Sequence, residues 1–429
     1  MTIKLLAVGD LHLGRRPPRL PAHLSARIDD FSPAAAWDRV IDLALSEEVQ
    51  AVLLAGDVAE STQDYFEALP RLRSGAVRLN RAGIQLLAVS GNHDVHILPR
   101  LIDEVPEARL LGAGGEWESV RIPARDDGSE EHLTLWGWSF PAPRVSESPI
   151  ARLPADLGPG PHLGLLHCDR DQTGSPYAPV TSGELRSTPF DAWLLGHIHR
   201  PDALAAGQPM GYLGSVVGLD AGEPGAHGPW LIDVRGGRIE RLEQRAIAPL
   251  RWERLDVDIT AATSETAVTT ALGQRLESLA ADLNDGVDWP DLVALRVRLM
   301  GECDLSRDVI EAALPETGRA MGLPGAEFIQ WFLEGIRIDT LPVIPLDRLA
   351  ERDDQPGLLA RRLLILQRPA DDPERQTLIE AAEHHLQSCM ADSRWRQLPG
   401  PAPDSATIAG WLRQRGQDAL RAMLAQEIG

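Results

Sequence analysis

The stretch Leu5-Leu6-Ala7-Val8-Gly9-Asp10-Leu11-His12 decides how the first half of this chain is interpreted. An apolar run that can form a buried strand passes directly into an aspartate and, two positions later, a histidine. Side chains at positions i and i+2 of a strand end point the same way, so Asp10 and His12 can converge on one site. Further along, short apolar runs alternate with helical patterns, which is typical of a layered sheet-and-helix domain. The sequence therefore predicts an α/β fold with a polar site where its first strand ends.

Four more apolar runs end in the same kind of residue. Ala51–Gly56 is followed by Asp57, Gln85–Gly91 by Asn92-His93-Asp94, Leu163–Leu166 by His167, and Trp193–Gly196 by His197-Ile198-His199. In layered α/β sheets, sites form at the carboxyl ends of the strands. We therefore expect these side chains to gather at one edge. A single Gly-Asp is usually only a turn, but five such motifs in order indicate a metal site.

The predicted ligands are carboxylate oxygens, an amide oxygen and imidazole nitrogens, with no thiolate. Structural zinc sites prefer cysteine, so this set argues against one. Mixed oxygen and nitrogen ligands suit Mn²⁺, Fe or catalytic Zn²⁺. The set is large enough for two cations that share one carboxylate. A pair of cations about 3.5–4 Å apart can clamp a phosphoryl centre and lower the pKa of a bridging water, which supplies hydroxide at neutral pH.

Composition excludes several classes of protein. The net charge of −21 is spread over both halves of the 429 residues, which argues against a protein that merely coats nucleic acid. A DNA enzyme with a local positive groove stays open, because phosphate affinity depends on local charge and on bound metal. No apolar run approaches the ~18 residues of a membrane span, and the N-terminus enters a strand with no signal peptide. Three scattered cysteines make no disulfide framework. We expect a soluble protein of the cytoplasm.

The sequence predicts three segments. Residues 1–245 form the α/β unit, with a helix that begins at Ser32-Pro33. Residues 250–345 form a small α+β unit of βαβαβ type, closed by a strand over 328–338. Residues 346–429 form amphipathic helices, which are broken by the proline-rich stretch 398–403.

The five motifs resemble those of the calcineurin-like metallophosphoesterases. Within that superfamily, three stretches resemble the SbcD-like DNA repair exonucleases, especially the YhaO-type branch: Asp10-Leu11-His12-Leu13-Gly14, Gly137-Trp138-Ser139-Phe140 and Tyr212-Leu213-Gly214-Ser215. The resemblance implies a four-layer α/β/β/α sandwich over 1–245, a DNA-binding capping domain over 250–345 and a helical partner-docking region over 346–429. It also implies a DNA phosphodiesterase with exonuclease activity, which leaves endonuclease activity open.

The resemblance assigns roles to matching residues. Two divalent cations are implied, Mn²⁺ first, with Mg²⁺, Fe or Zn²⁺ as alternatives. One would be held by Asp10, His12, Asp57 and His199, and the other by Asp57, Asn92, His167 and His197. His93 would lie over the scissile phosphate and assist the leaving oxygen. Asp94 would be the partner of His93.

Residues around the motifs give weaker predictions. Arg15, Arg16 and Arg19 could grip phosphates or could face solvent, and His96 could touch substrate. Many relatives have an aromatic and an acid after Gly-Asp, whereas Val58-Ala59-Glu60-Ser61 follows here. We expect this departure to affect substrate choice and not metal binding. Cys168 beside His167 is a weak candidate nucleophile, because a metal-activated water needs none.

Partners and alternatives complete the sequence-based expectations. The resemblance implies DNA, a coiled-coil ATPase of the SbcC or YhaN kind and, as an open alternative, a homodimer. A stripe of Leu412, Leu420 and Leu424 would suit docking of a partner helix, or it could cover the core. One rival function is hydrolysis of a small nucleotide or phosphoester. The other is a non-catalytic component of an ATPase complex.

Overall fold

The computed structural model describes residues 2–124, 132–286, 288–390 and 403–428. It divides into two compact units. The first comprises Met1–Asp258, Ser264–Met300 and Arg307–Asp339, and the second comprises Ile259–Thr263, Gly301–Ser306 and Thr340–Gly429. Most of the predicted capping segment therefore belongs to the first unit, and the division into three domains stays a prediction. Among the described residues, no helix is long and apolar enough to cross a membrane.

Fifteen strands and ten helices are described. The strands are β1 Thr2–Val8, β2 Ala51–Ala55, β3 Gln85–Val89, β4 Ala108–Leu110, β5 Glu118–Pro123, β6 His132–Trp138, β7 His162–His167, β8 Ala192–Gly196, β9 Met210–Tyr212, β10 Trp230–Arg235, β11 Arg238–Gln244, β12 Leu250–Asp258, β13 Leu292–Glu302, β14 Met321–Leu323 and β15 Ala326–Leu341. The helices are α1 Pro33–Ser46, α2 Tyr65–Arg81, α3 Leu98–Asp103, α4 Ser182–Ser187, α5 Glu265–Asn284, α6 Arg307–Ala312, α7 Leu346–Ala350, α8 Gln355–Gln367, α9 Pro373–Met390 and α10 Ser405–Ile428.

Two sheets form the centre of the first unit. The first has the strand order β11-β10-β1-β2-β3-β4, and the second has the order β5-β6-β7-β8-β9. Strands β1 to β4 are parallel to one another, as are β6 to β9. Their carboxyl ends therefore meet at shared edges.

The side chains of the two sheets make a layered core. Leu5 and Leu53 of the first sheet share one buried cluster with Leu163 and Leu194 of the second. The opposite face of the first sheet packs against α1 and α2, where Trp37 is fully buried. Leu185 of α4 covers the far face of the second sheet. This sequence of layers is the predicted α/β/β/α sandwich, and it buries both faces of each parallel sheet, as such sheets require.

A third sheet, in the order β12-β13-β15-β14, occupies the middle of the chain. Phe332 of β15 and Trp252 of β12 belong to the same buried cluster as α1 and α2. The predicted βαβαβ order was incomplete, because the short β14 precedes β15 and pairs with it antiparallel. Three residues with a central glycine give too little pattern for a strand to be predicted.

The second unit contains α7 to α10. Leu420 of α10 is fully buried and packs with Ala360 and Leu363 of α8. Leu412 and Leu424 lie half-buried beside such clusters. The buried Leu420 supports the alternative in which this stripe covers the chain's own core, and partner docking by residues 346–429 stays a prediction. Most of the predicted break at 398–403 lies outside the described residues.

Candidate metal centre

The predicted ligands come from both central sheets. Asp10, Asp57 and Asn92 follow strands β1, β2 and β3 of the first sheet. His167 ends β7 of the second sheet, and His197 follows β8. Because the two sheets pack face to face, these strand ends lie together at one edge. The structure brings all seven predicted ligands to this edge.

Six of these residues form two compact groups. Asp10, His12 and His199 make one group, and Asp57, His167 and His197 make the other. Within each group, one potential ligand atom from every residue lies within 4.8 Å of the others. Asn92 adjoins the second group, since its Oδ1 lies 3.0 Å from Nε2 of His167. The chain therefore has two potential metal sites next to each other.

In the first group, a carboxylate lies next to each of the two imidazole rings. Nδ1 of His12 lies 2.6 Å from Oε2 of Glu60. Nδ1 of His199 lies 2.7 Å from Oε1 of Glu223. A carboxylate at Nδ1 favours the tautomer that is protonated there, and so leaves Nε2 with its lone pair. Carboxylate–histidine pairs of this kind are the usual support for metal ligands.

The two free nitrogens of this group test whether a metal fits. Nε2 of His12 and Nε2 of His199 face each other at 3.1 Å. If the only proton of each ring is on Nδ1, as the neighbouring carboxylates favour, two lone pairs meet at this distance and repel; otherwise one Nε2 carries a proton that the other accepts. A cation that both nitrogens share would remove this repulsion, and the carboxylate of Asp10 would offset its charge. The residues present therefore fit a divalent metal.

The second group is buried more deeply. Nδ1 of His167 lies 3.1 Å from the carbonyl oxygen of Ala55, and its Nε2 lies 3.3 Å from Oδ2 of Asp57. Burial lowers the pKa of His167, but the carboxylate of Asp57 outweighs burial and raises that pKa to about 9. Burial raises the pKa of Asp57, yet the facing imidazole brings it below its ordinary value. The pair thus favours a positive charge at the place where a cation would bind.

His197 connects the two groups. Its backbone N–H donates to both carboxylate oxygens of Asp10, over 2.9 and 3.1 Å. Its Nε2 lies 3.2 Å from Oδ1 of Asp169, which leaves Nδ1 for an ion. Asp169 also accepts a hydrogen bond from Ser175 Oγ. A third carboxylate therefore orients a third imidazole.

The backbone at the site is strained. Asp10, His12, Asp57 and His197 have φ values of 34°, 47°, 47° and 103°. Non-glycine residues rarely adopt this left-handed region, and such residues cluster at functional sites where the surroundings hold them in place. The third motif needs a glycine at position 91, because a Cβ there would overlap Oδ1 of Asp57. The strained backbone and the close packing at Gly91 both accompany the approach of the predicted ligands to one another.

His93 is more exposed than the histidines predicted as metal ligands. Its side chain is 45% exposed, and its backbone N–H donates to Oδ1 of Asp57 over 3.0 Å. The ring is therefore fixed beside the second group and remains open to a substrate.

Asp94 does not lie where the sequence predicted. Its carboxylate is buried and accepts the backbone N–H groups of Val58, over 2.6 Å, and Gly91, over 2.7 Å. Burial and the charge of Asp57 raise its pKa to about 7. Asp94 thus ties the second and third motifs together, and the carboxylate that faces His93 is that of Glu60.

The predicted substrate-binding residues are mostly engaged with the protein itself. Arg16 pairs with Asp29 and Glu67, each over 3.0 Å. Arg15 lies 3.8 Å from Glu60. His96 is exposed in the turn before α3. Cys168 is fully buried, so the expectation that it is no nucleophile agrees with its position.

Three carboxylates of the site were missed or misjudged by sequence reasoning: Glu60, Asp169 and Glu223. The sequence analysis linked the Val58–Ser61 departure to substrate choice alone, but Glu60 contacts the predicted metal ligand His12. Asp169 follows His167 by two positions, which is a signal that could have found it. Glu223 lies in a glycine- and proline-rich loop that carries no periodic signal.

Comparisons with known proteins agree with this site. Residues 3–201 match the family described as calcineurin-like phosphoesterase. Residues 252–340 match the family described as metallophosphoesterase YhaO, middle domain. Residues 3–201 are therefore a calcineurin-like metallophosphoesterase domain, a domain type of hydrolases. The match to the YhaO middle domain agrees with the resemblance to the SbcD/YhaO-type family.

Three curated relatives are similar to this chain. The chain is 30% identical to the uncharacterized metallophosphoesterase YhaO of Bacillus subtilis, over 62% of this chain and 65% of that protein. It is 24% identical to the DNA double-strand break repair protein Mre11 of Sulfolobus acidocaldarius, over 73% and 78%. It is 28% identical to one component of the nuclease SbcCD of Rhodobacter capsulatus, over 47% and 60%. The match thus spans less than two thirds of the first and third relatives' own lengths.

Proposed function

We propose that this chain is a two-metal DNA phosphodiesterase with exonuclease activity, which serves DNA repair or end processing. The main support is the pair of adjoining ligand groups with His93 exposed beside them. Two relatives whose names refer to DNA break repair and to a nuclease add to it. In this proposal, Asp10, His12, Asp57 and His199 hold one cation, and Asp57, Asn92, His167 and His197 hold the other, with Mn²⁺ as the most suitable metal.

The chemistry divides between the cations and the side chains. When bound, the cations would neutralise phosphate charge and activate a water for attack. Asp57 holds the backbone of His93, which keeps its ring beside the phosphate. His93 orients the scissile phosphate and gives a proton to the leaving oxygen.

Partners belong to the same proposal. We infer that DNA is the substrate, that residues 250–345 contact it as a capping domain, and that a coiled-coil ATPase of the SbcC or YhaN kind binds the helical region 346–429. The cytoplasm is the compartment in which these partners would meet.

One assay tests the proposal directly. The purified protein, loaded with Mn²⁺, is incubated with end-labelled linear duplex DNA and with bis-para-nitrophenyl phosphate, with and without an encoded neighbouring ATPase. We expect nucleotide release from DNA, and we expect His93→Ala to lower it at least a hundredfold while Mn²⁺ stays bound. If wild-type protein with its partner cleaves neither substrate, the non-catalytic rival gains.

A small phosphoester is the second candidate substrate. The pairing of Arg16 with Asp29 and Glu67 favours this candidate. These two carboxylates occupy a guanidinium group that DNA phosphates would otherwise contact. Hydrolysis of the small ester alone, over a range of salt and metal concentrations, would support this candidate over DNA.

A further inference from the structure

Glu60 lies between a metal ligand and the exposed histidine of the candidate centre. Its Oε2 is 2.6 Å from Nδ1 of His12, and its Oε1 is 3.8 Å from Nδ1 of His93. The rings of His12 and His93 meet edge to face, with centroids 5.6 Å apart. The Glu60 carboxylate thus faces Nδ1 of His12 with one oxygen and Nδ1 of His93 with the other.

The backbone explains why Glu60 reaches this place. The segment after β1 pairs with the segment after β2: His12 N–H donates to Asp57 O over 2.9 Å, and Leu13 N–H donates to Val58 O over 2.8 Å. Glu60 N–H then donates to Leu13 O over 3.4 Å. These contacts bring residue 60 beside the segment that carries His12.

The contact with His12 orients that ring. The side chain of His12 is only 1% exposed, so its Nδ1 has little access to water. A carboxylate 2.6 Å from Nδ1 favours the tautomer that is protonated at this nitrogen, and Nε2 then keeps the lone pair that a cation requires.

The contact with His93 is longer than a hydrogen bond. The 3.8 Å separation suits an ion pair, and the 29% exposure of Glu60 leaves its side chain room to adjust. Hydrogen bonds of catalytic groups are often long without substrate and shorten in the complex. With Nδ1–H directed to Glu60, Nε2 of His93 would face the substrate, and the ring can give a proton to the leaving oxygen when Nε2 carries one as well.

We propose that Glu60 is a shared positioning residue, in which one oxygen orients the metal ligand His12 and the other orients His93. The proposal deepens the phosphodiesterase function above and rests on it for the role of His93. It couples two parts of the site through one side chain, so removal of Glu60 affects metal affinity and turnover together.

The first test needs no activity. Ring nitrogens of the histidines are observed by NMR in ¹⁵N-labelled, metal-free protein, with assignments from single His→Ala variants. In wild type, we expect His12 and His93 to be protonated at Nδ1. In Glu60→Ala, both should change to mixed tautomers. Glu60→Gln keeps the volume but offers one acceptor oxygen, so at least one of the two rings should change. Glu104→Gln, an exposed glutamate that pairs with Arg73, is the matched control.

The second test measures metal and turnover. Calorimetric titration with Mn²⁺ should show affinity about 10–100-fold lower in Glu60→Ala. At saturating Mn²⁺, kcat for nucleotide release from end-labelled duplex DNA should fall about tenfold with KM unchanged, whereas in a His93→Ala background Glu60→Ala should lower kcat no further.

The outcomes separate this proposal from the proposed function. Unchanged tautomers and unchanged Mn²⁺ affinity in both Glu60 variants would overturn it, as would a change at only one of the two histidines in Glu60→Ala. If Glu60→Ala does not fold, the same readouts on Glu60→Gln decide. If wild type hydrolyses no phosphodiester, the phosphodiesterase function fails, but the tautomer and Mn²⁺ results still decide the role of Glu60.

Discussion

Nδ1 of His199 lies 2.7 Å from Oε1 of Glu223, which joins a predicted metal ligand to a loop 24 residues further along the chain. The second oxygen of Glu223 accepts the backbone N–H of Leu219 over 2.8 Å. The loop backbone at Leu219 thus fixes the Glu223 carboxylate, and this carboxylate orients the His199 ring. Burial raises the pKa of Glu223, but the hydrogen bond from His199 outweighs it and leaves that pKa below its ordinary value.

Glu223→Gln should lower Mn²⁺ affinity about tenfold. Glutamine has one acceptor oxygen, so it cannot serve both His199 and Leu219, and it has no charge to stabilise a cation-bound imidazole. Calorimetric titration with Mn²⁺ measures the change. Glu243→Gln, on the exposed strand β11, is the control and should bind as wild type does. Equal affinity in both variants would mean that His199 needs no carboxylate support.

Gly91→Ala should abolish Mn²⁺ binding at the second ligand group. A Cβ at this position would overlap Oδ1 of Asp57, which must then move away from His167. Overpacking of this kind costs about 1–3 kcal/mol, so the protein should still fold. Metal content after dialysis, measured by mass spectrometry, tests this. Gly207→Ala is the matched control, because a Cβ there has no neighbour within 4 Å. Full metal content in Gly91→Ala would contradict the geometry.

The sequence predicted the ligands because they follow a physical rule. Parallel strands of one sheet end at a shared edge, so Asp10 and Asp57 meet once β1 and β2 pair, and the packing of the second sheet against the first brings His167 to them. The supporting carboxylates follow no such rule. Glu60 and Glu223 reach the site through loop paths, which depend on contacts between distant segments and leave no periodic pattern.

The helical region 346–429 shows a second feature that the sequence pattern alone could not predict. The amphipathic pattern at Leu412, Leu420 and Leu424 predicts only that this helix face packs against an apolar surface. Whether that surface belongs to a partner or to the chain itself depends on the packing of α8 and α10, which sequence periodicity does not contain. Fully buried Leu420 shows that the chain covers its own face.

Cys168→Ala should keep turnover of bis-para-nitrophenyl phosphate within about threefold of wild type, because a metal-activated water needs no thiol nucleophile. Cys168 is fully buried, and burial raises the pKa of its thiol well above the ordinary value, so little thiolate forms.

Alkylation with iodoacetamide gives an independent readout for the thiols. The exposed Cys389 should react in native protein, whereas Cys168 and Cys303 should react only after denaturation. A hundredfold loss of turnover in Cys168→Ala, with metals bound, would instead support a role of the thiol in the reaction.

Arg245→Met should destabilise the first unit by about 2 kcal/mol at pH 7. The Arg245 side chain is 10% exposed and contacts Asp288 over 2.6 Å and Glu47 over 2.7 Å. Removal of one partner of a buried ion pair costs about 3–5 kcal/mol, and partial exposure of both carboxylates reduces this. Guanidinium unfolding of metal-free protein in EDTA measures the difference between variant and wild type.

The same pair predicts a pH dependence. Burial raises the pKa of Glu47, but the hydrogen bond from Arg245 outweighs burial, so the pKa in the folded protein lies below its ordinary value of 4.5. A lowered carboxyl pKa contributes stability that is complete above this ordinary value and is lost as pH falls through the folded value. The stability difference between wild type and Arg245→Met should therefore be largest at pH 7 and should shrink as the pH falls below 4.5. A difference that stays constant over this range would indicate that the arginine stabilises the unit through packing of its aliphatic stem rather than through charge.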